Sequence, residues 1–295
     1  MIIGITGGSG FIGQAVQRAA EEEGDQVILF SRRDREGRRR FSFTEPLDVS
    51  DCEGLVHLAG ESIVGFWTLA KRKRILESRI EGTRRLVEGI AASSSRPKVL
   101  VSASAIGFYG NTGDHIADED SPPGEGFLAD VTRHWEAEAL KAERCGVRVV
   151  LLRIGFVLGQ QGGAMKMLEP VFRAGLGGKI GSGRQWMSCI EIHDLASMVM
   201  ESLKNPSING AVNAVMPAPV SNGEFTLAVA RAVRRPAIIP APAFALRLVL
   251  GDLSHLLLDS QRVIPKKFGE LGFRYHFPSV SSAIQKIVGE GTLLA

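Results

Sequence analysis

Apolar and polar positions follow two different periods along the first half of the chain. Residues 2–6 form a short apolar run, glycines follow, residues 11–23 carry apolar side chains at helical spacing, and a second apolar run covers 26–31. That order predicts a strand, a helix and a second strand parallel to the first. Further strand-like runs stand at 54–59, 98–104 and 147–154, with helical patterns at 69–92 and 129–144 between them. Arg148 is the single charge in 147–152, as expected of a strand covered by helices on both faces. The pattern predicts an α/β protein with a doubly wound parallel sheet.

From Gly155 onward the alternation weakens. Glycines crowd 159–183, and the C-terminal part is rich in proline and aliphatic residues. We therefore expect a nucleotide-type α/β domain over 1–158, completed by roughly 190–218. A smaller C-terminal substrate lobe is expected from 159–189 and 219–295. The long apolar stretch 242–259 is broken by Arg247, Asp252 and His255, is too short and too charged to span a bilayer, and reads as a buried helix pair.

Composition narrows the classes. In 295 residues, 44% hydrophobic and 23% charged positions are ordinary for a folded globular protein, so disorder is not the default. A net charge of +3 and basic clusters at 32–40 and 71–74 without interleaved aromatics give no nucleic-acid motif. Cys52, Cys145 and Cys189 lack metal-ligand spacing and an even count, which implies neither a zinc site nor a disulfide framework and fits a cytoplasmic protein. No export signal is visible at the start of the chain.

The candidate chemistry begins where the first strand meets the first helix, at Thr6-Gly7-Gly8-Ser9-Gly10-Phe11-Ile12-Gly13. Glycines there let backbone N–H groups approach a pyrophosphate while the helix N-terminus supplies free donors and the positive end of its dipole. The turn, the strand and the helix together predict Rossmann-type dinucleotide binding.

The end of the second strand selects the dinucleotide. An acidic side chain there accepts the ribose hydroxyls and repels a 2′-phosphate. This strand ends Phe30-Ser31-Arg32-Arg33, so a hydroxyl and a guanidinium stand at that position and NADP is favoured, with nearby Asp34 as the carboxylate that argues against it. Val56-His57-Leu58-Ala59-Gly60 ends the next strand in small residues against which a cofactor can lie, with His57 read as a packed or capping side chain.

These segments resemble the extended short-chain dehydrogenase/reductases. Several more resemble their "epimerase family protein" branch: Leu58-Ala59-Gly60-Glu61, Ser78-Arg79-Ile80-Glu81-Gly82-Thr83, Ser102-Ala103-Ser104-Ala105-Ile106-Gly107-Phe108-Tyr109-Gly110, Trp135-Glu136-Ala137, Gly181-Ser182-Gly183-Arg184-Gln185-Trp186 and Ile192-His193-Asp194-Leu195. Arg235-Pro236, Gln261-Arg262-Val263 and Pro265-Lys266-Lys267 resemble that branch's C-terminal domain of unknown function. The resemblance implies pyrophosphate contacts from Gly7, Gly10, Phe11, Ile12 and Gly13, 2′-phosphate contacts from Ser31 and Arg32, and adenine-side contacts from Leu58 and Ala59. Arg79 is a further cofactor candidate, on a helix that also carries Arg72, Lys73 and Arg74; a solvated basic face is the reading for most of these.

In that superfamily hydride transfer uses a serine after the fifth strand and a tyrosine followed four residues later by lysine. The lysine charge lowers the phenol pKa so that it can exchange the substrate proton. Here Ser102 or Ser104 occupies the serine position and Tyr109 is the nearby phenol, but position 113 is Gly113 and no Tyr-x-x-x-Lys exists. Asp130 and His134, spaced i and i+4, are substitute proton-transfer candidates. Arg184, Gln185 and Trp186 offer a cation, an amide and a stacking surface, suited to a nucleotide-like ligand or to pinning the lobes together.

Two functions fit this reading. One is an NADP(H)-dependent oxidoreductase or epimerase-like enzyme acting on an unidentified small molecule. The other is a non-catalytic NADP(H)-binding redox sensor or partner-binding protein. A monomer or homodimer is expected, with no metal.

Overall fold

The computed structural model describes residues 1–32, 37–42 and 44–292. Arg33 and Asp34, weighed above as neighbours of the 2′-phosphate position, lie outside the described residues.

The first unit is as the periodicity predicts: β1 (Ile2–Thr6), α1 (Phe11–Glu22) and β2 (Gln26–Ser31). A short strand β3 (Arg38–Arg40) follows, then β4 (Gly54–His57), α2 (Leu69–Ala92), β5 (Val99–Ala105), α3 (Phe127–Leu140), β6 (Arg148–Ile154) and β7 (Phe156–Leu158). The C-terminal part contains α4 (Met165–Arg173), β8 (Trp186–Met187), β9 (Cys189–Glu191), α5 (Ile192–Lys204), β10 (Gly210–Ala214), β11 (Val220–Ser221) and α6 (Asn222–Val233). It closes with α7 (Ala243–Leu250), α8 (His255–Leu258), α9 (Lys266–Glu270) and α10 (Val280–Thr292).

Seven parallel strands make the central sheet in the order β10-β6-β5-β4-β1-β2-β3. The order reverses direction between β1 and β4, which places the cleft beside the carboxyl ends of those strands. Alternate residues serve opposite faces. Ile3, Ile5, Val56, Val101, Val150 and Leu152 belong to the apolar layer that includes side chains of α1 and α5, while Phe30, Leu55, Leu100, Val149 and Leu151 belong to the layer with α2 and α3.

Polar residues enter at the carboxyl ends of the second set. Thr6 pairs with His57 and His57 with Ser102; two residues further on, Ser104 pairs with Arg153 and Arg153 with Asn213. All six are buried and point to the α2/α3 side.

Two features depart from expectation. Within the basic run, Arg38–Arg40 extends the sheet beside β2, a strand that the apolar periodicity did not predict. Region 242–259 does form helices, but α7 contributes no buried residue, and Phe244, Leu248 and Val249 are 74%, 84% and 62% exposed. Its apolar pattern is not matched by any covering layer among the described residues.

Candidate dinucleotide and substrate site

The glycine turn is built so that side chains are excluded. Gly7 has φ +74°, a conformation that favours glycine, and a Cβ there would stand 2.7 Å from the Leu58 carbonyl carbon. A Cβ on Gly13 would stand 2.4 Å from the Gly7 oxygen, because α1 packs directly on the turn. Gly10 is the N-cap of α1 and donates its N–H to Gly7 O at 2.9 Å, and it offers no side-chain cap to the first-turn N–H groups. Those donors, on the positive end of the helix dipole, form a cradle for a phosphate group. The residues present therefore fit a dinucleotide.

The rest of the predicted cofactor set surrounds this turn. Leu58 N–H donates to Thr6 O at 3.1 Å, and Ala59 N–H reaches Thr6 Oγ1 at 3.4 Å, so the β4 exit lies against the turn. The Phe11 ring is enclosed by the loop 159–163, where Cβ atoms on Gly159 or Gly162 would come within 2.4 Å of it. Ile12 packs partly buried beside the main core. Ser31 and Arg32 stand at the carboxyl end of β2, one strand away from Gly7.

Arg79 is placed differently from a phosphate-facing cation. Its Nη1 donates to Glu61 O and Ile75 O at 3.1 Å each, and its guanidinium lies 5.0 Å from the Trp135 ring. Burial pushes its pKa down to about 10. It forms the wall beneath the β4 exit next to Gly60. Arg72 and Arg74, with Lys71 and Lys73, pair instead with Asp252, Glu61 and Glu77.

His57 is fully buried, as the packed reading expects. Nδ1 meets Thr6 Oγ1 at 2.7 Å and Nε2 meets Thr83 Oγ1 at 3.0 Å. Burial, reinforced by nearby Arg79, lowers its pKa from 6.5 to about 4, so the ring is neutral at pH 7.

Ser104 and Tyr109 belong to one closed polar network. Ser104 Oγ donates to Glu136 Oε1 at 2.6 Å, and Arg153 grips both oxygens of Glu136 through Nε and Nη2 at 2.9 Å each. Arg153 Nη1 donates to the Tyr109 hydroxyl at 2.9 Å, and that hydroxyl donates to Asn213 Oδ1 at 2.8 Å. The Arg153 guanidinium also stacks on Phe108, 3.4 Å from its ring centre. Burial pushes the Tyr109 phenol up to about 12, against the opposing pull of Arg153. Ser102 is buried beneath this group, its Oγ directed to Ala103 O at 3.4 Å.

Glu136, Arg153 and Asn213 were not singled out as site residues from sequence. The available signal was Arg153 itself, a charge near the carboxyl end of a strand whose one other charge, Arg148, opens it. On α3 the buried polar positions one turn apart are Thr132 and Glu136, whereas Asp130 and His134 lie on the exposed face. His134 Nδ1 pairs with Asp130 O and Arg133 pairs with Asp130. The i,i+4 spacing thus placed Asp130 and His134 together, but toward solvent, which corrects their candidacy as proton-transfer groups.

Gln185 and Trp186 act as fasteners. Gln185 Nε2 donates to Ile180 O and Leu257 O at 3.0 Å each; Trp186 Nε1 donates to Asp114 at 2.9 Å while Arg262 lies over its ring at 4.1 Å. Arg184 is exposed. Among the described residues no cluster of three or more His, Cys, Asp or Glu side chains suits a metal ion, and no helix is long and apolar enough to cross a membrane.

A parallel doubly wound sheet with a glycine cradle at its reversal point and this polar face defines a short-chain dehydrogenase-type protein. The chain belongs to the NAD dependent epimerase/dehydratase family, whose model matches residues 3–214, and residues 241–287 match a domain of unknown function, DUF1731. Among similar proteins, the chloroplastic epimerase family protein SDR39U1 homolog of Arabidopsis thaliana is 36% identical over 98% of this chain and 87% of its own. Epimerase family protein YfhF of Bacillus subtilis is 34% identical over 98% of this chain and 99% of its own. The crystal structure of human epimerase family protein SDR39U1 with NADPH superimposes with a TM-score of 0.92 at 34% identity, covering 98% of this chain and 99% of that one.

Proposed function

We propose that this protein binds NADP(H) along the carboxyl edge of β1, β2 and β4 and acts as an oxidoreductase or epimerase-like enzyme on a small molecule. The observation that carries the cofactor assignment is the turn 7–13. It presents uncapped N–H donors of α1 next to a strand exit, Ser31-Arg32, that offers a hydroxyl and a guanidinium and no carboxylate. In the roles assigned here, Gly7, Gly10, Phe11, Ile12 and Gly13 hold the pyrophosphate, Ser31 and Arg32 the 2′-phosphate, and Leu58 and Ala59 the adenosine. Arg79 braces that last wall from beneath. Human SDR39U1, 34% identical, was crystallised with NADPH, which supports the choice of dinucleotide.

Bound at this edge, the nicotinamide supplies hydride chemistry. This chain's own contribution is to exclude water from the polar face of β5 and β6 and to orient a substrate oxygen near Ser104. The substrate lies between the 1–158 domain, completed by 190–218, and the smaller lobe of 159–189 and 219–295; a nucleotide-like molecule fits the exposed Arg184 at its mouth. We assign the protein to the cytoplasm, as a monomer or homodimer. Thermal unfolding with saturating NADPH, NADH or neither tests the reading, because a ligand at 100 times its Kd adds roughly 2.7 kcal/mol to the folded state. A shift with NADPH well above that with NADH is the expected result.

A second reading is favoured by one specific observation. The hydroxyls of both Ser104 and Tyr109 are already committed to protein partners, and the cation that touches the phenol is neutralised by Glu136. A non-catalytic NADP(H) sensor needs no free proton-transfer group. Loss of NADPH absorbance with simple carbonyl compounds, or conversion of a sugar nucleotide into its epimer with no net change in NADP(H), separates the enzyme from the sensor.

A further inference from the structure

Strand β3 carries three consecutive arginines, and its register separates their roles. In a parallel pair, residues opposite one another present their side chains to the same face. Leu29 pairs with Arg38, Phe30 with Arg39 and Ser31 with Arg40. Phe30 belongs to the α2/α3 layer, and Arg39 accordingly turns to that side, where it is fixed to Asp51. Leu29 lies on the opposite face, so close to the glycine turn that a Cβ on Gly8 would stand 2.6 Å from Leu29 Cδ2. Ser31 and Arg40 share that face with Leu29, two residues nearer the carboxyl edge.

The geometry points to Arg40 as a second guanidinium for the 2′-phosphate, acting beside Ser31 and Arg32 and contributed by a strand outside the glycine-rich unit. Three features carry the assignment. Arg40 stands at the carboxyl end of its strand, level with Ser31, on the face of the turn. Its side chain is 76% exposed, and its ion pair is a long one, 3.9 Å to Glu45, itself 63% exposed. A guanidinium so placed swings to a doubly charged phosphate at small cost, and its planar donors match phosphate oxygens. Arg40 also lines an open hollow of about 330 Å³ at the sheet edge with Arg39, Ser42, Glu45, Pro46 and Asp48, where its long ion pair to Glu45 is made. Glu45 in the hollow competes with a phosphate for this cation and so restrains the preference that Arg40 creates.

This assignment rests on the NADP(H) reading, and the experiment keeps their failures apart. Calorimetric titrations with 2′,5′-ADP and 5′-AMP are made on the unmodified protein, Arg40→Ala and Glu45→Gln. The unmodified protein is expected to favour 2′,5′-ADP. Arg40→Ala should weaken 2′,5′-ADP about tenfold and leave 5′-AMP unchanged, while Glu45→Gln should tighten 2′,5′-ADP and steepen its salt dependence. If the unmodified protein keeps its preference and Arg40→Ala retains full affinity, or loses both ligands equally, the role of Arg40 is overturned while the cofactor assignment stands. If the unmodified protein binds both ligands equally, both are overturned.

Discussion

Glu136 and Arg153 meet through two hydrogen bonds of 2.9 Å, each side chain about 5% exposed, at the point where α3 crosses the ends of β5 and β6. The family resemblance leads one to expect a lysine on this helix lowering the pKa of a phenol. Here the helix presents a carboxylate, and the cation comes from β6 instead. The positive charge that touches Tyr109 is therefore shared with an anion, and burial dominates the phenol.

Breaking this pair leaves a buried charge without its partner, which typically costs about 3–5 kcal/mol. Arg153→Met and Glu136→Gln should each lower the unfolding free energy by that order, the second because the Arg153 guanidinium then stays buried without its anion. Urea unfolding followed by circular dichroism measures both. A loss below 1 kcal/mol in Arg153→Met would show that the network is not an energetic element of the fold.

The His57 imidazole is neutral in the folded protein down to about pH 4, but it protonates near 6.5 once unfolded. Its folded pKa is depressed, so its contribution is present above pH 6.5 and is lost as the pH falls from 6.5 to about 4. The shift corresponds to roughly 3 kcal/mol. His57→Gln should have a flatter stability profile than the unmodified protein across that window, although it is less stable at pH 7. Parallel profiles for the two proteins, from urea midpoints at each pH, would contradict the placement of His57.

Asp194 is fully buried and accepts the backbone N–H groups of His276 and Phe277 at 2.8 and 2.9 Å, together with His276 Nδ1 at 2.9 Å. It ties the segment preceding α10 to the first turn of α5. Asp194→Ala orphans both backbone donors, each worth about 1–3 kcal/mol when buried. Limited proteolysis should then cut near residue 276 in the variant before any other site. Unchanged cleavage would mean that the C-terminal segment is held elsewhere.

A methyl group at position 13 meets the Gly7 oxygen at 2.4 Å, which the turn cannot absorb without moving the phosphate cradle. Gly13→Ala should lose at least tenfold in NADPH affinity, about 1.4 kcal/mol or more. Gly24→Ala, where nothing lies within 4 Å but φ is +79°, serves as a stability control distant from the site.

The fold was legible where burial imposes a strict period. Ile2–Thr6, Gln26–Ser31 and Leu69–Ala92 stand where the apolar spacing puts them, because each buries a defined face. Arg38–Arg40 was not legible, since an edge strand made only of arginines is held by its backbone pairing and leaves no apolar signature. The pattern at 242–259 announced helices but overstated burial, for periodicity reports an apolar stripe without saying what covers it. At the site, glycine placement located the cradle because its constraint is local. The partners of Ser104 and Tyr109 come from positions 136, 153 and 213, joined only by strand register and helix packing, which local spacing does not encode.

The central claim is that this chain holds NADP(H) through the 2′-phosphate. The most direct measurement is a fluorescence titration of the purified protein with NADPH and with NADH, repeated on Arg32→Ala. We expect NADPH to bind at least tenfold more tightly than NADH, and Arg32→Ala to remove most of that difference while leaving NADH affinity unchanged. Equal affinities for the two dinucleotides, or no effect of Arg32→Ala on NADPH, would contradict the claim.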